Sequence, residues 1–243
     1  MTDKSLTTSI RENYQKIQRK VSDVAQLAGR DPESVKVVVV TKKQPLSVVE
    51  SVIEAEVTIL GENYPEEAVS KMQSLDEKNT VEWHMIGHVQ SRKARLVAEN
   101  FVLLHSLDSL KLARRLDRFA AESDRKLPVL LQFNVGGEES KFGWDASDES
   151  QWENLLPDVE TLLSLENLEI CGLMTMPPFF KDAELTRPYF CQLRRLRDYL
   201  SDLYPQVKWE QLSMGTSVDF HVAIEEGATF VRVGQAVVGQ RPI

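Results

Sequence analysis

Cysteine is scarce in this 243-residue chain: Cys171 and Cys191 are the only two, and they form no Cys-x-x-Cys pair. That excludes a disulfide scaffold and leads us to expect a reduced, cytoplasmic setting. Long apolar runs are also missing, so no stretch reaches the length that spans a bilayer. The polar start Met1-Thr2-Asp3-Lys4-Ser5, leading into Ile10-Arg11-Glu12-Asn13-Tyr14, lacks the apolar core of a signal peptide. Positive charge is in deficit, with 29 Lys and Arg against 37 Asp and Glu, for a net charge of −8. A general nucleic-acid binder or anionic-membrane binder needs a basic face, so both classes fall away. An anionic small ligand stays open, because a local pocket can oppose the overall field. Glycine is absent between Thr41 and Gly61. The Gly-x-Gly-x-x-Gly turn that follows the first strand of an open, dinucleotide-binding sheet is therefore missing. No Gly-x-Ser-x-Gly elbow occurs, which removes support for Ser-His-Asp catalysis.

What is present is an ordinary globular balance, 42% hydrophobic and 27% charged, which excludes a largely disordered chain. Short apolar runs predict strands at Val35 to Thr41, Val57 to Leu60, Val81 to Ile86, Phe101 to His105, Leu127 to Phe133, Leu168 to Gly172, Val207 to Leu212 and Thr229 to Val233. The segments between them have helical spacing. Phe190, Leu193, Leu196, Leu200 and Leu203 define one helix; Leu110, Ala113, Leu116, Phe119 and Ala120 define another, entered through Asp108-Ser109. An earlier helix, about Ser5 to Leu27, ends at Gly29 and Asp31-Pro32. Eight strands alternating with helices predict an α/β fold: a single (β/α)8 TIM barrel over residues 1–243 with an extra N-terminal helix. No linker or low-complexity segment divides it. The longest loop, Asn134 to about Ser147, follows the fifth strand and lies on the C-terminal face, where barrel sites are built.

Lys42 stands where Val37-Val38-Val39-Val40 meets the turn Lys43-Gln44-Pro45. Partial desolvation at such an edge lowers a lysine pKa and frees its lone pair for carbonyl chemistry. The plainer reading is a lysine that caps a strand and points into water. Both faces of the run are apolar, so alternation leaves Lys42 and Lys43 equally placed. At the other end of the chain, Ser213-Met214-Gly215-Thr216-Ser217 reads as the loop after strand seven, and Arg232-Val233-Gly234-Gln235 closes strand eight. These are the usual phosphate positions of this fold. A hydroxyl and free backbone N–H groups bind a phosphate there, and Gly234 lets the backbone approach. Taken alone, Ser217 equally caps a helix from Val218 to Glu225, and Gly234 equally makes a turn. An amine facing a phosphate cradle suggests pyridoxal 5′-phosphate (PLP), its aldehyde held as a Schiff base on Lys42.

The motifs Val40-Thr41-Lys42, Gly61-Glu62-Asn63-Tyr64, Trp83-His84-Met85-Ile86-Gly87-His88-Val89-Gln90 and Ser140-Lys141-Phe142-Gly143 resemble, in order, those of the pyridoxal phosphate homeostasis proteins. Gly172-Leu173-Met174, Leu212-Ser213-Met214-Gly215-Thr216-Ser217-Val218-Asp219 and Val231-Arg232-Val233-Gly234 continue the series. The resemblance runs from about Val21 to Gly239 and implies a barrel similar to the N-terminal domain of alanine racemase. It selects Lys42 as the Schiff-base lysine. It matches Ser217 and the N–H groups of Gly234 and Gln235 to the phosphate, Arg232 to the pyridine nitrogen, and Asn63 and His84 to the cofactor's surroundings. Gln235 departs from the usual Thr, which weakens phosphate binding if a hydroxyl contact is the norm.

Several expectations follow. Arg232 can only donate to a ring nitrogen that lacks its proton, which makes the ring a poor electron sink. In the resembling racemases, the second acid or base comes from a β domain and a partner subunit. The chain ends at Ile243 with no such domain. We therefore expect a monomeric PLP carrier acting in PLP and amino-acid homeostasis, with PLP-dependent apo-enzymes as partners. The alternative is a slow racemase or lyase. Lys141 reads either as a transient PLP acceptor or as an exposed loop lysine. Met174, Met176 and Pro177-Pro178 are read as pocket wall or core. His84 and His88 lack the helix and third ligand of a zinc site, so no metal is expected. His105 and His221 show no evident partners and read as ordinary polar positions.

Overall fold

The computed structural model describes residues 4–75 and 81–239. Residues 1–3 of the polar start and the end at Ile243 lie outside them. Helix α1 (Lys4–Leu27) comes first, burying Ile10, Tyr14, Ile17, Val21 and Ala25 at helical spacing. Gly29, at φ +70°, ends it in the left-handed conformation that glycine adopts without a Cβ clash. Eight β/α units follow: β1 (Lys36–Val40) and α2 (Leu46–Glu54), β2 (Ile59–Glu62) and α3 (Pro65–Ser74), β3 (Glu82–Met85) and α4 (Ala94–Asn100), β4 (Leu103–Leu107) and α5 (Leu110–Glu122). Strand β5 (Leu127–Asn134) leads through the two-residue β6 (Trp144–Asp145) to α6 (Leu156–Leu163). The last three units are β7 (Leu168–Met174) and α7 (Arg187–Leu203), β8 (Gln211–Thr216) and α8 (Phe220–Glu225), β9 (Phe230–Val233) and α9 (Gln235–Val238). All pairings are parallel. The order β4-β3-β2-β1-β9-β8-β7-β5, with β4 also paired to β5, closes the ring.

Strand parity divides the molecule into two cores. Val37, Val39, Leu60, Trp83, Met85, Leu212, Met214, Val231 and Val233 face outward into the large apolar layer beneath the helices. Val38, Ile59, Leu103, Leu130, Met174 and Phe230 form a small cluster inside the ring. The helix entered at Ser109 is capped as its sequence predicts, the hydroxyl accepting from the Leu112 N–H.

Three expectations are corrected. The seventh barrel strand is Gln211–Thr216, not Val207 to Leu212. Its inward positions Gln211 and Ser213 are polar, so the apolar signal slid upstream. Ser213 to Thr216 are thus strand rather than loop. The helix expected from Val218 begins at Phe220, and Asp219 instead accepts from the Thr216 N–H at 2.6 Å and hydroxyl at 2.8 Å. The loop after Asn134 also carries β6, whose Trp144 and Asp145 pair with Phe133 and Asn134.

Candidate functional site

Every strand in a parallel barrel points its C-terminal end to one face, where a cavity of about 620 Å³ opens. Lys36, Val38, Val40 and Lys42 share the inward parity of β1, so Lys42 reaches the cavity half-buried. Lys43 takes φ +59°, which turns it out of line. Its N–H donates to Glu67 Oε1 at 2.7 Å, and its Nζ lies 5.7 Å from the centroid of the Tyr64 ring. The two lysines that looked equivalent in sequence are thereby separated. Behind Lys42, the Thr41 hydroxyl donates to Glu62 Oε1 at 2.8 Å. Buried Lys71 of α3 donates to the same oxygen at 2.8 Å and to the Thr41 carbonyl at 3.0 Å. Burial raises the Glu62 pKa against the opposing pull of Lys71.

Opposite Lys42, Ser217 and Gly234 meet where β8 and β9 end, the Gly234 N–H donating to Ser217 Oγ at 3.4 Å. Gln235 and Thr216 complete that edge. Arg232, 4% exposed, forms the floor and donates to Ser213 Oγ, to the Thr175 carbonyl at 2.9 Å and to Met176 Sδ at 2.8 Å. Desolvation lowers its pKa to about 10, partly countered by Asp219, so it stays a cation near neutral pH. Of the nearby carboxylates, Glu62 faces outward to Lys71, and Asp219 acts on Arg232 through charge. Asn63 lines the wall, and its buried Oδ1 has no hydrogen-bond partner. A buried amide oxygen left unpaired costs about 1–3 kcal/mol, so the site is built for a polar guest.

The loop after β5 closes one side. Gln132 Nε2 donates to the Phe142 carbonyl at 3.0 Å, and the Phe142 ring stacks on His88 at 3.7 Å between centroids. Lys141 lines the cavity from this loop, 3.7 Å from Glu138. Met174 and Met176 line it from the end of β7, as the sequence allowed.

Of the residues singled out in sequence, Lys42, Asn63, Ser217, Arg232, Gly234 and Gln235 converge on this cavity. His84 does not. Its inward position on β3 lies two residues short of Ile86, which reaches the cavity, so the ring is buried inside the barrel. It contacts His105 there, which corrects the reading of His105 as a residue without partners. His88 lies beyond the strand beside Asp108, well apart in role from His84. No cluster able to hold a metal ion occurs among the described residues.

The family described as alanine racemase, N-terminal domain, matches residues 8–242. A pyridoxal phosphate homeostasis protein of Aquifex aeolicus is 37% identical over 230 residues, covering 95% of this chain and 97% of that protein. One from Vibrio alginolyticus is 38% identical over 237 residues, covering 96% and 98%. The chain belongs to the pyridoxal phosphate homeostasis proteins. Among solved structures of similar fold, PipY of Synechococcus elongatus with PLP bound has a TM-score of 0.76 and 35% identity, covering 90% of this chain and 100% of that one. Alanine racemase of Clostridium difficile has a TM-score of 0.67 and 19% identity, covering 97% of this chain and 57% of the racemase. That second likeness is one of fold: the homeostasis proteins use the racemase barrel. No described helix is long and apolar enough to cross a membrane.

Proposed function

We propose that this protein holds PLP as a Schiff base on Lys42 and serves PLP and amino-acid homeostasis as a carrier. The observation that carries this reading is the convergence of Lys42, Arg232, Ser217 and Gly234 on one cavity, an amine facing a hydroxyl and a strand-end glycine across a cationic floor. The unpaired Asn63 Oδ1 fits such a guest, since it offers an acceptor and turning the amide offers a donor. When bound, PLP supplies an aldehyde that condenses with an amine and loses water. Lys42 provides that amine, held at the rim by the Thr41–Glu62–Lys71 bonds. The Ser217 hydroxyl and the N–H groups of Gly234 and Gln235 bind the phosphate. The buried Arg232 guanidinium, a cation near neutral pH, would donate to a ring nitrogen that lacks its proton and so disfavour carbanion chemistry. Lys141 offers a second amine on the same cavity for loading or release toward PLP-dependent apo-enzymes, and the carrier acts as a monomer.

Borohydride reduction in the presence of PLP, followed by peptide mapping, tests this reading. The expected result is one pyridoxyl group, on Lys42. A tag elsewhere, or none, refutes it. The likeness to the racemase barrel supports a second reading, slow racemase or lyase turnover. Exchange of α-deuterium from amino acids at a cell-relevant rate would favour that reading.

A further inference from the structure

An unbroken line of side chains crosses the barrel interior from the cavity floor to the opposite mouth. Arg232 Nη1 donates to Ser213 Oγ, which lies 2.7 Å from His105 Nδ1. His105 Nε2 is 2.9 Å from His84 Nδ1, and His84 Nε2 is 3.3 Å from Glu82 Oε2. Phe230 braces both imidazoles edge-on, at 5.6 and 5.2 Å between centroids. His84, His105, Ser213 and Arg232 are buried, while the Glu82 side chain is 51% exposed. Glu82 opens into a separate cavity of about 330 Å³ at the N-terminal mouth, shared with Lys36, Lys208, Glu169 and Glu210.

The two ends dictate the order of the middle. A guanidinium only donates and a carboxylate only accepts. Ser213 receives from Arg232 and gives its single proton to His105 Nδ1. His105 is then protonated on Nε2 and donates to His84 Nδ1, and the His84 Nε2–H donates to Glu82. The reverse order would need a proton on Glu82 and would leave the Ser213 hydrogen without an acceptor in the line. Both rings stay neutral. Desolvation, with the Arg232 cation adding to it, pushes His105 well below its ordinary value, and desolvation lowers His84. Direction matters for Arg232, because a hydroxyl that donates onward is a stronger acceptor for the bond it receives.

We propose that Ser213, His105 and His84 are positioning residues for Arg232, and that Glu82 at the far mouth sets the direction of their hydrogen bonds. The effect on the bound cofactor rests on the PLP reading; the bond order does not. In cofactor-free protein labelled with ¹⁵N-histidine, NMR should find both rings neutral and protonated on Nε2. A His105 protonated on Nδ1 overturns the proposal. Glu82→Leu, at a half-exposed position, should mix the tautomers of both rings, while Glu82→Gln, which keeps an acceptor, should preserve them. Unchanged tautomers in Glu82→Leu overturn the role of Glu82. In PLP-loaded protein, Ser213→Ala should release the cofactor roughly tenfold faster and shift its absorbance with Lys42 intact. Unaltered release and absorbance overturn the positioning role. Failure of wild type to take up PLP would refute the carrier reading while leaving the tautomer result to decide the order.

Discussion

The inside of the strand ring and the layer between strands and helices use alternate residues of the same strands, yet they are filled by different rules. In the outer layer, Val39, Leu60, Met85, Leu104, Leu212 and Val231 are fully buried and apolar, and the amphipathic helices cover them. Inside, a handful of apolar side chains surrounds His84, His105, Ser213 and Arg232. Apolar burial contributes roughly 25 cal/mol per Å² without regard to direction. A buried polar group is tolerated only when its bonds are made in a specific geometry. Stability therefore resides chiefly in the outer layer, and chemistry in the inner one. The Thr41–Glu62–Lys71 group joins them, an outward-facing polar cluster that fixes the strand end carrying Lys42.

That division can be broken by substitution. Phe190→Ala removes a fully buried outer ring of α7 and should cost about 3–5 kcal/mol in urea unfolding. The folded fraction should still label at Lys42; loss of labelling at native temperature would show that the layers are not separable. Glu62→Gln weakens the bonds to Lys71 and Thr41 and should cost about 1–3 kcal/mol, reducing the labelling rate as well. An effect on stability alone would free Lys42 from dependence on this group.

The interior should also reveal itself through pH. His105 and His84 have folded pKa values depressed from the ordinary 6.5, so the unfolded chain binds more protons in the window below it. Their contribution is present above 6.5 and is lost as pH falls toward the folded values. Unfolding free energy measured between about pH 7.5 and 5 should therefore drop on the acid side, and His105→Gln should flatten that slope. An identical slope in the variant would place the acid sensitivity elsewhere. The smallest effect on stability is expected for Lys42→Ala, within about 0.5 kcal/mol at its half-buried rim position, although covalent PLP labelling should vanish.

Much of this was legible before any coordinates. Local hydrophobic spacing marked α1, α5, α7 and the sites of eight strands, because each pattern is complete within one segment. It failed at β8, where Gln211 and Ser213 face inward and carry no apolar signal. The ordered motifs pointed to Lys42, Asn63, Ser217, Arg232, Gly234 and Gln235, which line one cavity, and to His84, which lies beneath it inside the barrel. The composition signal for His105 was silent, although His-Ser at the end of a buried strand was visible in the sequence.

The amino-acid sequence by itself determined the alternation of strands and helices and the residue types able to meet an aldehyde and a phosphate, since these depend on neighbours along the chain. Only the closed barrel decided that Lys42 enters the cavity while Lys43 turns away, and that His105 meets Ser213 across 108 positions of sequence. Inward parity and long-range hydrogen bonds arise when β4 pairs with β5 and the ring shuts, and no local pattern carries that information.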